Sequence, residues 1–242
     1  MTTIDFHGLT DVGLVRANNE DTYLIKEKAC CCLVADGMGG AAAGETASLI
    51  FSQTVDEIFA DHNAAHEQEA VDLVQRAFRL ANDRILEHVV RNPQFEGMGC
   101  TAELLAFTPT GFVIGHMGDS RTYRMRNGTL KQLTKDHSLV QDQLDQGLIT
   151  EEQARSHSMR NVILRAVGVR PSPALDTLRG PIFPGDIFLL CSDGLTDLVD
   201  DAHIAQALTS GKPLQRMLEH LVDQANKAGG KDNITAVLAE IQ

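Results

Sequence analysis

Ala29-Cys30-Cys31-Cys32-Leu33-Val34-Ala35-Asp36-Gly37-Met38-Gly39-Gly40 is the stretch whose reading decides the fold. It begins as a short apolar run, which predicts a buried strand. The run stops at one carboxylate, Asp36, and Gly37, Gly39 and Gly40 then allow a sharp turn or a close approach to a ligand. A carboxylate at the end of a buried strand is costly unless something cationic meets it, and a metal ion is one such partner. A solvated aspartate in a glycine turn is the alternative, and this stretch alone does not separate the two.

On the N-terminal side, residues 3–15 carry Ile4, Phe6, Leu9, Val12 and Leu14 in an extended pattern, followed by the polar run Arg16-Ala17-Asn18-Asn19-Glu20-Asp21 and then Tyr23-Leu24-Ile25. Two strands bracketing a polar turn, with the cysteine strand as a third, predict an antiparallel sheet. On the C-terminal side, Ala43, Ala47, Ile50, Phe51, Thr54 and Ile58 recur at three and four, and so do Val71, Val74, Phe78, Ala81, Ile85 and Val89. Both segments predict amphipathic helices, joined by the polar stretch near Asp61-His62-Asn63. Strands are expected again over 100–107, 111–117, 120–126 and 129–133, the last two flanking the hairpin dipeptide Asn127-Gly128. Residues 134–170 are polar and mixed, with short helices expected at 138–146 and 150–156. A strand over 187–191, helices near 201–209 and 213–227, and a final strand over 234–241 complete the chain. Strands clustered between helix pairs argue for an α+β layered fold, not a doubly wound parallel sheet. The expectation is one domain over residues 1–242, with 134–170 inserted in it.

Composition narrows the functional classes. A hydrophobic fraction of 43% with 22% charged residues suits a chain with a real core. A net charge of −12 argues against a nucleic-acid surface and is compatible with gathering divalent cations. Met1-Thr2-Thr3-Ile4-Asp5 has neither the basic nor the apolar part of a signal peptide, and no apolar run is long enough to span a bilayer, so the cytoplasm is the expected compartment. The five cysteines form no Cys-x-x-Cys, and neighbours on a strand face opposite ways, so Cys30, Cys31 and Cys32 read as small apolar residues and not as a zinc site. The acceptor patterns at Asn127 and Asn233 read as incidental without a secretion signal.

Four aspartates share one context. Asp36 follows Leu33-Val34-Ala35, Asp119 follows the run 112–118, Asp193 follows 187–192, and Asp232 precedes 234–241. Asp21, just before Tyr23, is a fifth. Each sits at the mouth of a strand, so all could converge on one edge of a layered sheet. Like charges brought together repel, and convergence would need cations. All-oxygen ligands select hard ions, Mg²⁺ or Mn²⁺, over zinc. A solvated turn aspartate explains any one of these better, but not four in the same context.

Five motifs now stand in register: Arg16 with Glu20-Asp21, Asp36-Gly37-Met38-Gly39-Gly40, Gly118-Asp119-Ser120-Arg121, Ser192-Asp193-Gly194-Leu195 and Asp232-Asn233-Ile234-Thr235. In order and spacing they resemble the type 2C metal-dependent protein phosphatases, the PPM family, in its compact bacterial form, over about 9–241. The resemblance implies two stacked, mostly antiparallel sheets sandwiched between pairs of helices, with a flap at about 134–170. It implies that Asp36 bridges two Mn²⁺ or Mg²⁺ ions, that the Gly37 carbonyl binds the second, and that Asp193 and Asp232 bind the first. Asp119 with Asp193 would match a third site, Asp21 would hold metal-bound water, and Arg16 would hold the substrate phosphate. The implied activity is hydrolysis of phosphoserine and phosphothreonine in proteins by a metal-bridging water. The implied setting is a monomer opposing a bacterial Ser/Thr kinase, with no nucleic-acid or membrane partner.

The chain also departs from the family pattern. Ala41 stands where bacterial relatives often carry histidine, and Met38 where animal relatives place one, so neither offers the leaving group an acid. Ser158 stands where proline is common in the flap, His157 beside it reads as a structural or solvated loop residue, and His116 reads as a core or edge residue of a strand. The competing function is a non-catalytic metal- or phosphoprotein-binding module on the same fold. Loss of Asp36, Asp193 or Asp232 would favour it, and all three are present. Gly37–Gly40 is not a phosphate-binding P-loop, because no Gly-Lys-Ser/Thr follows.

Overall fold

The computed structural model describes residues 3–60 and 64–242, so Met1, Thr2 and the connection at Asp61–Asn63 lie outside the described residues. In chain order the elements are β1 (Ile4–Asp11), β2 (Asp21–Lys26), β3 (Cys31–Met38), α1 (Ala41–Ile58), α2 (Glu67–Arg91), β4 (Gly99–Cys100), β5 (Ala102–Phe107), β6 (Gly111–Met117), β7 (Arg121–Arg126) and β8 (Thr129–Gln132). There follow α3 (Leu139–Asp145), α4 (Glu151–Arg155), β9 (Asp176–Pro181), β10 (Ile187–Cys191), α5 (Asp193–Thr196), α6 (Asp201–Leu208), α7 (Leu214–Lys227) and β11 (Ile234–Ile241). One sheet has the order β1-β11-β10-β7-β8, and the other runs β2-β3-β5-β6-β9 with β4 paired to the end of β3. The pairings are antiparallel.

Alternation along the strands builds the layers. In β3, Cys31, Leu33 and Ala35 face a core shared with Ala47, Phe51 and Val55 of α1 and Val74, Phe78 and Ala81 of α2. Cys32 and Val34, pointing the other way, join Leu105, Phe107, Phe188, Leu190, Val237 and Ala239 in a second core between the sheets. The other sheet repeats the device: Ile234, Ala236 and Leu238 of β11 face α6 and α7, while Val237 and Ala239 face the inter-sheet core. The result is helix pair, sheet, sheet, helix pair, as the family resemblance implied. The three adjacent cysteines are thus divided between environments, and Cys31 and Cys32 are buried as apolar residues.

Local signals explain most boundaries. Ser138 caps α3 by accepting from the Gln141 N–H, and Thr150 forms a capping box with Gln153 at α4. Asn127 and Gly128 both have positive φ, the conformation a two-residue hairpin of this type requires.

The structure corrects the sequence reading in four places. Strand β1 stops at Asp11, where an extended pattern was expected to reach 15, because Gly13 turns the chain with φ 77°. Strands β1 and β2 are not neighbours: β1 pairs with β11, from Ile4 opposite Ile241 to Asp11 opposite Ile234, and lies in the other sheet. The strand expected over 100–107 is broken at Thr101, whose N–H turns to the Asp36 carbonyl. Strand β9, at the edge beside β6, was not anticipated, since Asp176–Pro181 is mostly polar or half-exposed and carries little alternation. No helix among the described residues is long and apolar enough to cross a membrane.

Candidate active site

Strand pairing brings the dispersed acids together. Asp21, the first residue of β2, sits opposite Asp36 of β3. Thr101 accepts from the Asp36 N–H through its hydroxyl (3.2 Å) and donates its own N–H to the Asp36 carbonyl (2.8 Å). The same hydroxyl lies 2.6 Å from Ser120 Oγ, next to Asp119. From the other sheet, Ser192 donates to Asp21 Oδ2 (2.8 Å) and is followed by Asp193, while Asp232 stands just before β11. Five carboxylates from both sheets therefore face one edge of the sandwich.

Their ionisation reports the crowding. Asp36 is held well above the usual carboxylate range, first by burial and then by the charges of Asp21, Asp193, Asp119 and Asp232. Asp193 is likewise held well above it, by burial and then by Asp119. Burial raises Asp119 to about 7, with Asp136 adding to the shift. Burial also raises Asp21 to about 6 against hydrogen bonds from Thr235 and Ser192 that favour its charged form. Asp119 Oδ1 and Asp193 Oδ1 are buried without a hydrogen-bond partner. Buried acceptors left unbonded are costly, and a hard cation is the ligand type that such oxygens fit. Among the described residues no three His, Cys, Asp or Glu side chains close on one point as a complete ion cage.

Gly37 is glycine for a steric reason. A Cβ there would lie 2.0 Å from the Gly44 carbonyl oxygen, so the backbones of β3 and α1 touch. This contact fixes the Gly37 peptide beside Asp36, with its N–H donated to the Glu20 carbonyl (3.2 Å).

Arg16 lies on the loop after β1 and is half-exposed, its Nη2 donating to Asp232 Oδ2 at 2.7 Å. That hydrogen bond is the first cause of its raised pKa. The loop is held by Asn233, whose Nδ2 donates to the carbonyls of Val12 (3.0 Å) and Asn18 (2.9 Å) and whose Oδ1 accepts from the Glu20 N–H (2.8 Å). Leu14 N–H donates to Gly230 O at 2.7 Å.

Sequence reasoning assigned no role to Asn233, Thr101, Ser192, Gly44 or His137. Asn233 and Ser192 stood inside quoted motifs, so adjacency to an acid was their available signal. Thr101 and Gly44 had none, because their partners are 65 and 7 positions away in the chain and meet only after folding. His116, read as core or edge, is fully buried and bonded to Glu103 and to the Lys135 carbonyl. His157, in the stretch expected as a flap, accepts from the Met159 N–H (3.1 Å).

The acid cluster carries a stability cost in the metal-free protein. Asp21 and Asp119 have folded pKa values above the unfolded carboxylate value, so the folded state binds more protons between about pH 4 and pH 7. Stability from these groups is full below that window and is lost as pH rises through it. Asp36, buried among these charges, carries the same kind of cost, so Asp36→Asn is expected to raise the metal-free Tm at pH 7.5, and to raise it less at pH 5. One unit of relieved shift is about 1.4 kcal/mol, or roughly 3–6 °C for a chain of this size. Thermal melts of chelated protein at the two pH values check this, and an equal effect at both would disprove the repulsion.

The model of the family described as protein phosphatase 2C matches residues 15–239. The chain belongs to the protein phosphatase 2C family. It is 36% identical over 235 residues to the serine/threonine phosphatase stp of Listeria innocua serovar 6a, covering 96% of this chain and 93% of that one. It is 40% identical over 233 residues to the serine/threonine protein phosphatase PstP of Mycobacterium tuberculosis H37Rv, covering 96% of this chain and 44% of that longer one. The crystal structure of the M. tuberculosis phosphatase PstP/Ppp superposes with a TM-score of 0.93 at 35% identity and covers the whole of both chains. A second neighbour is the PstP catalytic domain in complex with two manganese ions, with a TM-score of 0.91 at 34% identity, covering 100% of this chain and 99% of that one. The phosphatase 2C fold thus carries this chain's acid cluster on the shared edge of its two sheets.

Proposed function

We propose that this chain hydrolyses phosphoserine and phosphothreonine in proteins with the help of two Mn²⁺ or Mg²⁺ ions, and a third at Asp119 and Asp193. The observation that carries the reading is the set of buried, charge-crowded carboxylates with orphaned oxygens, placed beside a half-exposed arginine. In this reading Asp36 would help hold both ions, the Gly37 carbonyl one of them, and Asp193 and Asp232 the other. When bound, the ions supply a shared water acidified enough to attack at neutral pH, and charge that stabilises an in-line displacement at phosphorus.

The protein's own groups do the rest. Arg16 binds the phosphate through the part of its planar fork that Asp232 does not occupy. Asp232 orients that fork, and Asn233 keeps the loop from yielding when the phosphate docks. Asp21 is held by Ser192 with its carboxylate beside Asp36, where it would accept a hydrogen bond from water in the site. We further propose that residues 1–242 act as one phosphatase domain whose segment 134–170 is a flap over substrate. In the same reading the chain works in the cytoplasm as a monomer, on phosphorylated proteins, and opposes a Ser/Thr protein kinase.

The test is phosphate release by chelated protein with and without Mn²⁺ or Mg²⁺, on nitrophenyl phosphate and on phosphoserine, phosphothreonine and phosphotyrosine peptides. Metal-dependent release favouring the two hydroxyl-amino-acid esters is expected. Metal-dependent binding of phosphopeptide with no release would establish the non-catalytic module instead.

A further inference from the structure

The turn that carries Asp119 is held by two devices, and only Thr101 belongs to the acid cluster. Gly118 has φ 116°, and a Cβ there would come within 2.5 Å of Thr101 Cβ, so the turn has no room to shift toward β5. On the other side stands His137. Its N–H donates to the Gly118 carbonyl (2.7 Å), and its ring Nδ1 accepts from the Gly118 N–H (3.2 Å). One residue thus satisfies both backbone groups of Gly118.

The backbone donor decides the tautomer of His137. A peptide N–H can only donate, so Nδ1 is bare and the ring proton is on Nε2. Nε2 then donates to Asp176 Oδ2 (3.1 Å), and Arg165 Nη1 secures Asp176 from its other oxygen (3.0 Å) while lying 3.2 Å from Nε2. His116 stacks on the His137 ring with centroids 4.4 Å apart. Its Nε2 must donate to the Lys135 carbonyl (2.8 Å) and its Nδ1 faces Glu103, which against burial raises the His116 pKa to about 9, so the ring is an imidazolium at neutral pH. That charge, after burial, lowers the His137 pKa and keeps the second ring neutral.

We propose that His137 is a positioning residue for Asp119: a neutral imidazole that fixes the Gly118 peptide, and through Asp176 and Arg165 ties the setting of that carboxylate to the base of the segment 134–170. The inference rests on the metal reading given under Proposed function. Its consequence is that metal affinity at Asp119 depends on a side chain that touches no metal. Outer partners of this kind are commonly worth 10–100-fold in metal affinity.

The experiment is Mn²⁺ binding to chelated protein, read from the electron paramagnetic resonance of the free ion, with melting curves as a fold control. His137→Gln reaches toward Asp176 but places no acceptor at the depth of Nδ1. His137→Asn places an amide oxygen there and loses Asp176. The expected result is an affinity about 10-fold lower for the weakest-bound Mn²⁺ in His137→Gln, and only part of it restored in His137→Asn, which keeps the Gly118 contact but not Asp176. Asp176→Asn, at a half-exposed position, reaches the same ring if the glutamine variant does not fold, and is expected to weaken the same ion. A glutamine or Asp176→Asn isotherm that overlays the wild type, or equal losses in glutamine and asparagine variants, would overturn the proposal. Wild-type protein that binds no Mn²⁺ would instead remove the metal reading itself, and the inference with it.

Discussion

Replacing Asp36 by asparagine is expected to lower kcat by ~10³-fold or more while leaving the fold intact, because metal chemistry at phosphorus is worth several kcal/mol and each factor of ten is about 1.4 kcal/mol. The position is crowded by charge, with Asp21, Asp193, Asp119 and Asp232 all acting on it. In the proposed reading a carboxylate there would offset two cations at once, whereas an amide would offset neither. The backbone at Asp36 is held by Thr101 and by pairing to β2, so the side chain can change without moving the strand. Asp193→Asn is expected to have a similar effect, since its orphaned Oδ1 would lose its charge. The measurement is kcat at saturating nitrophenyl phosphate over a range of Mn²⁺ concentrations. Turnover like that of wild type at limiting Mn²⁺, in either variant, would remove the ligand assignment.

Arg16→Ala is expected to cost ~10²–10³-fold in kcat/KM, the usual scale for losing one donor aimed at developing charge. The Mn²⁺ requirement is expected to change much less, because Arg16 contacts Asp232 through a single nitrogen and is itself half-exposed. Arg16→Lys is expected to recover only part, since an ammonium cannot meet two phosphate oxygens as a planar fork does. The Arg16–Asp232 pair gives the alternative outcome physical content. If the arginine mainly orients Asp232, its removal will raise the Mn²⁺ requirement and leave the substrate KM alone. Kinetics varied separately in substrate and in Mn²⁺ separate the two roles, and the second pattern would refute the phosphate assignment.

Much of the architecture was legible because its signals are local. The run Cys31–Ala35 has strand alternation, and the structure divides its odd and even residues between the helix-side and inter-sheet cores. The three-and-four spacing in residues 43–58 and 71–89 became helices α1 and α2, and Asn127-Gly128 became a hairpin turn with both φ positive. The acids were legible for a different reason: an aspartate at the mouth of an apolar run is uncommon enough that four in one context stand out. Strand β9 escaped because an edge strand buries little and so needs little alternation.

What the sequence by itself determined is most of the inventory: nearly all of the strands and helices, which face of each is apolar, and that Asp21, Asp36, Asp119, Asp193 and Asp232 lie at or near strand ends. These follow from side-chain periodicity and turn chemistry, which act over a few residues. What only the tertiary structure decided is adjacency. That β1 pairs with β11 and not with β2, that Asn233 holds the Arg16 loop, that Arg16 meets Asp232, and that Thr101 and His137 grip the Asp119 turn are all contacts between distant parts of the chain. Such contacts are set by which sheet face finds which partner on burial, and a single chain carries no local pattern that records it.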